Sequence, residues 1–428
     1  MKRLLLTAAS LIAAPLSAET IAITGGTVAI GDGSQPIGGG TVVIANGRIV
    51  SAGAGVAVPA GARVIDATGK WVSPGIVAGV STLGLMEGYG MDEVNDTTAS
   101  KSPFSAAIDV STAINPTGQR VATERSSGIT RAFVIPAAGN TMFGGQGAVI
   151  DLGADVDPVT KARAFQYVEL GEDGASAGGG SRPAAYVLLK TALAAAANPA
   201  SADFAHKDAL ITRQDAEALG PVVRGAMPLL VHVERAADIR AVLALKAQYP
   251  AIRLVLVGAT EGWMIADQIA AARVPVIAAG LLDLPEKFET MAATQSNVGR
   301  LTRAGVTVAV SNADISEGPY ESYLTQYAGN LVALTKLPGA QGLDWGQALA
   351  SITSKPAAAI GMDREIGSLR SGRRADVVIW DGDPLELASA PTAIFIDGIA
   401  QPMTSRQTRL RDRYLDPVEK NLPKAYER

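Results

Sequence analysis

The chain contains no cysteine. Disulfides, thiolate nucleophiles, iron–sulfur clusters and cysteine-ligated zinc are therefore excluded. Histidine is nearly absent as well, with only His206 and His232 among 428 residues. Neither charge sign dominates. The formal net charge is −4 and charged residues make up 18%, so no basic field exists to hold nucleic acid or an anionic membrane surface. Beyond the first twenty residues no apolar run is long enough to span a bilayer. No strand-like run is followed by GxGxxG, and the GGQG at 144–147 is too short to cradle a nucleotide phosphate. What the chain does have is apolar matter. At 48% hydrophobic it can bury one large core or two.

The opening residues, MKRLLLTAASLIAAPLSAET, place Lys2 and Arg3 before an apolar run that ends in small residues at Ala18. This is the pattern of a secretory signal peptide over 1–18, and it predicts an exported protein, periplasmic or secreted. Pro15 interrupts the run and argues against a core helix there.

Between 21 and 67, short apolar runs alternate with glycine. "IAITGGTVAIGDG", "GTVVIANGRIVSAG" and "ARVIDATG" read as strands, with Asn46-Gly47 a hairpin signal. A second β-like block, "RRADVVIWDGDPL" and "AIFIDGIAQPM" with its Asp397-Gly398 turn, returns near the other end. The middle alternates buried-strand runs (128–139, 228–234, 252–260, 274–282 and 305–314) with helical patterns, the signature of parallel βαβ units. The reading is an α/β protein, a (β/α)8 TIM-like barrel plus a small β-sandwich domain assembled from both chain ends. The expected divisions are 19–70 and 366–404 for the small domain, 71–365 for the barrel and 405–428 for a charged surface tail. The segment "GEDGASAGGGSRP" reads as a flexible loop, and the alanine-rich stretch after it as helix, turn, helix.

Several of these stretches together carry a family likeness. "VIDATGKWVSPGIV", "INPTG", "GITRAFVIPAAGNTMFGGQGAVI", "PLLVHVERAADI" and "ITSKPAAAIGMDREIGSLRSGRRADVVIWDGDPL" resemble the amidohydrolase superfamily, in particular a secreted branch similar to imidazolonepropionases. The resemblance implies hydrolysis of C–N bonds by a metal-bound hydroxide at the C-terminal ends of the barrel strands. Carried over position by position, it finds most of that equipment replaced. The family's first-strand HxH falls on Val80 and Thr82, and the aspartate after Pro-Gly on Ala78. The bridging lysine falls on Tyr167. The strand-six histidine falls on Gly258 and the strand-eight aspartate on Ala313, with Asp314 next to it. Only the strand-five histidine persists, as His232. A family-type site takes three or four histidines, so no metal and no other cofactor are expected.

The candidates that remain are His232 and Asp314 as catalytic groups, with Glu234, Arg235 and Glu261 as substrate-binding groups. Each has a bland alternative. His232 can be a hydrogen-bonded relic, Asp314 a loop residue or N-cap, Glu261 a cap for the helix after it, and Glu234 with Arg235 a simple ion pair beside His232 or a solvated loop. Ser81 and Thr82 carry hydroxyls, but only His232 could serve either as a histidine base. His206 reads as a surface residue. Small or apolar Val80, Gly258 and Ala313, with Tyr167 beside them, fit a pocket that lost charged ligands together with the metal.

The expected function is a metal-free, catalytically impaired homologue. It would bind a small amide or peptide-like ligand, or act as partner subunit to an active amidohydrolase in a homo- or hetero-oligomer. The alternatives are an active hydrolase with metal-poor chemistry around His232, and a scaffold that docks through its charged tail.

Overall fold

The computed structural model describes residues 19–87, 92–204, 210–312 and 321–415. The expected signal peptide at 1–18, His206, Ala313, Asp314 and the end of the tail lie outside the described residues.

Two sheets organise the chain. The first draws on both ends of the sequence. It contains β1 (Ile21–Val28), β2 (Ile37–Ala45), β3 (Arg48–Gly53), β4 (Arg63–Asp66) and β5 (Trp71–Pro74). Strand β1 is shared along its length: antiparallel to β2 on one side, and parallel on the other to β4 in its first half and β5 in its second. The chain then enters the second sheet at Gly75. A Cβ there would overlap Thr130, so the Pro74-Gly75 step admits only glycine.

The second sheet is the barrel. It runs through β6 (Ile76–Ser81), β7 (Ile129–Val134), β8 (Phe143–Asp151), β9 (Val159–Glu169), β10 (Leu229–Val233), β11 (Leu254–Gly258), β12 (Val276–Ala278) and β13 (Val308–Val310). Alternating side chains fill its interior, among them Val77, Phe133, Phe165, Leu230, Val255 and Ile277. The outward-facing residues pack under the surrounding helices in a separate and larger cluster. Afterwards the chain returns to the first sheet as β14 (Val377–Trp380), β15 (Pro391–Ile396) and β16 (Ile399–Ala400), with β14 antiparallel to β5.

The barrel and the two-ended sheet are therefore those the sequence predicts. One strand departs from the all-parallel pattern. Strand β8 is antiparallel to both β7 and β9, because the 143–169 segment turns back directly instead of crossing over through a helix. The "GEDGASAGGGSRP" loop is also shorter than expected, since its first part forms the Glu172–Ala177 helix. Among the described residues no helix is long and apolar enough to cross a membrane.

The two sheets are joined at a buried arginine. Arg131 of β7 is fully buried and binds Asp376, Asp397 and Asp151. Beside it, the Trp380 indole donates to Ser73 Oγ at 2.8 Å and packs on Gly128 at the head of β7.

Candidate functional site

Strand alternation turns Leu230 and His232 to the barrel interior, with His232 at the C-terminal end, where barrels of this kind place their chemistry. The neighbouring strand β9 turns Phe165, Tyr167 and Glu169 the same way, and its register sets Glu169 directly opposite His232. His232 Nδ1 lies 2.7 Å from Glu169 Oε1, and Nε2 lies 3.1 Å from Glu234 Oε1. Both carboxylates are fixed from behind. Glu169 accepts the Gly171 amide at 2.9 Å and the Tyr167 hydroxyl at 3.3 Å. Glu234 accepts the Thr260 amide at 2.7 Å.

Burial by itself would lower the His232 pKa, but the Glu169 charge and hydrogen bond outweigh it, and Glu234 adds to them. The imidazole is held well above its usual range. Burial pushes the Glu234 carboxyl up, and the contacts with His232 and Thr260 more than reverse that, so its pKa ends low. The result is an imidazolium between two carboxylates, donating from both nitrogens.

The strand after His232 is shaped around Glu234. Gly258 has φ +83° and Ala259 φ +51°, both left-handed. A Cβ on Gly258 would overlap the Glu234 carboxylate. The Glu234 side chain thus occupies the volume that any side chain at 258 would need. Gly258→Ala is expected to cost about 2 kcal/mol or more, from left-handed strain and displacement of a buried charge. Urea unfolding checks it, and a loss under about 0.5 kcal/mol would show that the carboxylate moves aside freely.

A second tier surrounds this triad. Asp238 takes Arg182 Nε at 2.9 Å and both Nε and Nη2 of Arg235, at 2.8 and 3.1 Å. Glu289 takes Arg182 Nη2 at 3.0 Å and the Glu172 amide at 2.8 Å. Burial raises the Glu289 pKa, while the His232 charge opposes that. Glu261 neither caps its own helix nor meets His232. Its Oε2 accepts the Ala236 amide at 3.0 Å, capping the Ala236–Leu243 helix.

Of the sequence candidates, the structure brings His232 and Glu234 into direct contact and sets Arg235 and Glu261 in supporting positions. The simple Glu234–Arg235 ion pair does not form, since each has a different partner. Sequence reading missed Glu169, Glu289, Asp238 and Arg182. The available signal for Glu169 was its place two residues after Tyr167 on one strand face. Ser81 and Thr82 are buried and committed elsewhere, Ser81 to Glu321 and Thr82 to Arg120. The letters GASAG at 174–178 spell GxSxG, but Ser176 is exposed within the Glu172–Ala177 helix and not at a strand-to-helix elbow.

These donors do not fit a family-type metal centre. Each His232 nitrogen faces a carboxylate, Val80 is an apolar interior residue, and Gly258 offers no side chain. Among the described residues no group of three or more histidine, aspartate or glutamate side chains is arranged to hold an ion.

A barrel with a small sheet built from both chain ends, and with polar groups gathered at its strand ends, is a TIM-type barrel with an appended β-domain. Residues 196–394 match the model of the amidohydrolase family called Amidohydro_3. Amidohydrolase tasK of Hapsidospora irregularis is 25% identical over 392 residues, covering 80% of this chain and 38% of that protein. An imidazolonepropionase of Symbiobacterium thermophilum is 37% identical over 92 residues, covering 22% of this chain and 20% of its own length. The chain thus spans well under half of either curated relative. The structure of an amidohydrolase from Thermotoga maritima MSB8 superposes with a TM-score of 0.76 at 23% identity, covering 89% of this chain and 99% of that one. In sequence over residues 196–394, and in fold over most of its length, the chain is similar to the amidohydrolase superfamily.

Proposed function

We propose that this chain is a metal-free amidohydrolase homologue, impaired in the family's hydrolytic reaction. It is exported to the periplasm or beyond, and it acts as a partner subunit of an active amidohydrolase or as a binder of a small amide or peptide-like ligand. The observation that carries the reading is the occupation of both His232 nitrogens by carboxylates. A metal ligand needs a free imidazole lone pair, and Glu169 and Glu234 favour the protonated ring that has none. The Gly258–Glu234 packing supports the same reading, because a side chain at 258 and the present Glu234 conformation exclude each other.

The test is equilibration with Zn²⁺ followed by gel filtration and elemental analysis, with a panel of amide and dipeptide substrates assayed in parallel. The expected result is below about 0.1 zinc per chain and no metal-dependent hydrolysis. Stoichiometric zinc with chelator-sensitive turnover would overturn the reading.

One contact favours a second reading. The 2.7 Å Glu169–His232 pair has the geometry of an oriented acid–base residue, as in an active hydrolase with metal-poor chemistry. That reading expects chelator-insensitive turnover that disappears in a folded His232→Gln variant.

A further inference from the structure

The glycine-rich motif "GEDGASAGGGSRP" begins directly beside His232. As the chain leaves β9, Leu170 N–H donates to the His232 carbonyl at 3.0 Å. Gly171 N–H donates to Glu169 Oε1 at 2.9 Å, the same oxygen that faces His232 Nδ1. The Glu172–Ala177 helix follows. Three glycines, 178–180, then lead to Ser181 and to Arg182, where the Arg182–Ala197 helix starts.

Little apolar surface holds the short helix down. Ala175 is buried, but Asp173 and Ser176 are exposed. A helix of six residues does not persist without outside contacts. Gly179 and Gly180 are both left-handed, with φ +108° and +84°, and nothing lies within 4 Å of where a Cβ on Gly180 would stand. Glycine at 180 therefore serves backbone freedom and not close packing.

One carboxylate oxygen grips both ends of this segment. Glu289 Oε2 accepts the Glu172 amide at 2.8 Å and Arg182 Nη2 at 3.0 Å. The other oxygen stands against Gly171, where a Cβ would come within 2.9 Å of Glu289 Oε1 and 3.1 Å of Glu169 Oε1. Glu289 lies on the Phe288–Thr290 turn after β12, so its reach crosses the ends of β10 and β11. That turn is pinned on its far side, where the Trp263 indole donates to the Ala292 carbonyl at 2.9 Å. Arg182 is anchored in its turn by Asp238, at 2.9 Å.

We propose that residues 171–181 form a hinged lid over His232, latched shut by Glu289. Gly171 and the glycines at 178–180 are the hinges. With the latch engaged, Gly171 and Glu289 cover the imidazolium from the β9–β12 side. With it released, the Glu172–Ala177 helix lifts or melts, and that side of the mouth opens to a ligand. The lid controls access to the ligand site of the proposed function and in that role rests on it, whereas the latch itself does not.

The test is exchange in deuterated buffer, read by mass spectrometry at the backbone amides and at the imidazole Cε1–H of His232. Glu289→Gln is expected to raise amide exchange across 171–181 about tenfold or more. The His232 ring should exchange faster along with it, while β11 stays unchanged. Gly180→Ala strains the left-handed hinge without altering any charge near the imidazole. It is expected to act in the same direction, roughly tenfold, and supplies the readout if Glu289→Gln does not fold. Lid exchange that either folded variant leaves unmoved would overturn the proposal. So would a faster lid with an unchanged His232 ring, or an equal rise in β11. Neither readout uses metal or ligand, so failure here removes the lid and leaves the zinc and substrate assays to judge the proposed function.

Discussion

Replacing Arg131 with leucine is expected to destabilise the protein by about 3–5 kcal/mol, a large share of the roughly 5–15 kcal/mol that holds a typical domain. The guanidinium makes a two-pronged contact with Asp376, Nε to Oδ2 at 2.8 Å and Nη2 to Oδ1 at 2.9 Å. Nη2 also lies 2.8 Å from Asp397 Oδ2, and Nη1 reaches Asp151 at 3.3 Å and Thr160 Oγ1 at 2.6 Å. Without it, Asp376 remains buried with no counter-charge at the point where barrel and small sheet meet. Lysine is not expected to rescue, because a single ammonium cannot replace the planar fork. Asp376→Asn in the Arg131→Leu background should recover part of the loss, since it removes the stranded charge. Urea unfolding of the single and double variants reads this directly. An Arg131→Leu variant within about 1 kcal/mol of wild type would mean the junction is held by packing alone.

His232→Leu is the second large effect, again about 3–5 kcal/mol near neutral pH, because Glu169 and Glu234 would face each other without the cation between them. Its pH dependence is diagnostic. The His232 pKa is raised above 6.5, so its contribution is complete below that value and is lost as pH rises through the higher folded value. The Glu234 pKa is depressed below 4.5, so its contribution is present above 4.5 and is lost as pH falls through the lower folded value. The stability difference between wild type and variant should therefore be largest around neutrality and shrink in strong acid and in alkali. Denaturant curves at about pH 3, 7 and 10 check it. A difference that stays constant across that span would contradict an imidazolium held between two carboxylates.

Much of the fold could be read from local pattern. The runs "PLLVHVE" and "IRLVLVGAT" became β10 and β11 because continuous apolar stretches between turn signals have few other places to go. The Asn46-Gly47 and Asp397-Gly398 pairs became tight turns with both residues at positive φ, as such pairs favour. Strand β8 was not legible in this way. Its direction depends on which edge it meets, and glycine-rich "FGGQGAVID" carries no periodic signal of orientation. The helical pattern between the strand runs 274–282 and 305–314 contracted to Asn297–Arg303, with a single 3-10 turn at Phe288–Thr290. There Glu289 is drawn to Arg182 and to the Glu172 amide.

The site divides along the same line. Composition alone determined that the chain has no cysteine and only two histidines, His206 and His232. Those are statements about residue identity, and identity does not need coordinates. What His232 does was decided by tertiary structure, because its partners are 63 residues away at Glu169 and two residues away at Glu234. Only strand register brings the first into line, and only the left-handed turn at Gly258 and Ala259 makes room for the second. Glu261 looked like a cap for the helix that follows it and instead caps one that precedes it, because the barrel sets those helices side by side. Charge pairing across a barrel is a property of strand order, and strand order is carried by the whole chain.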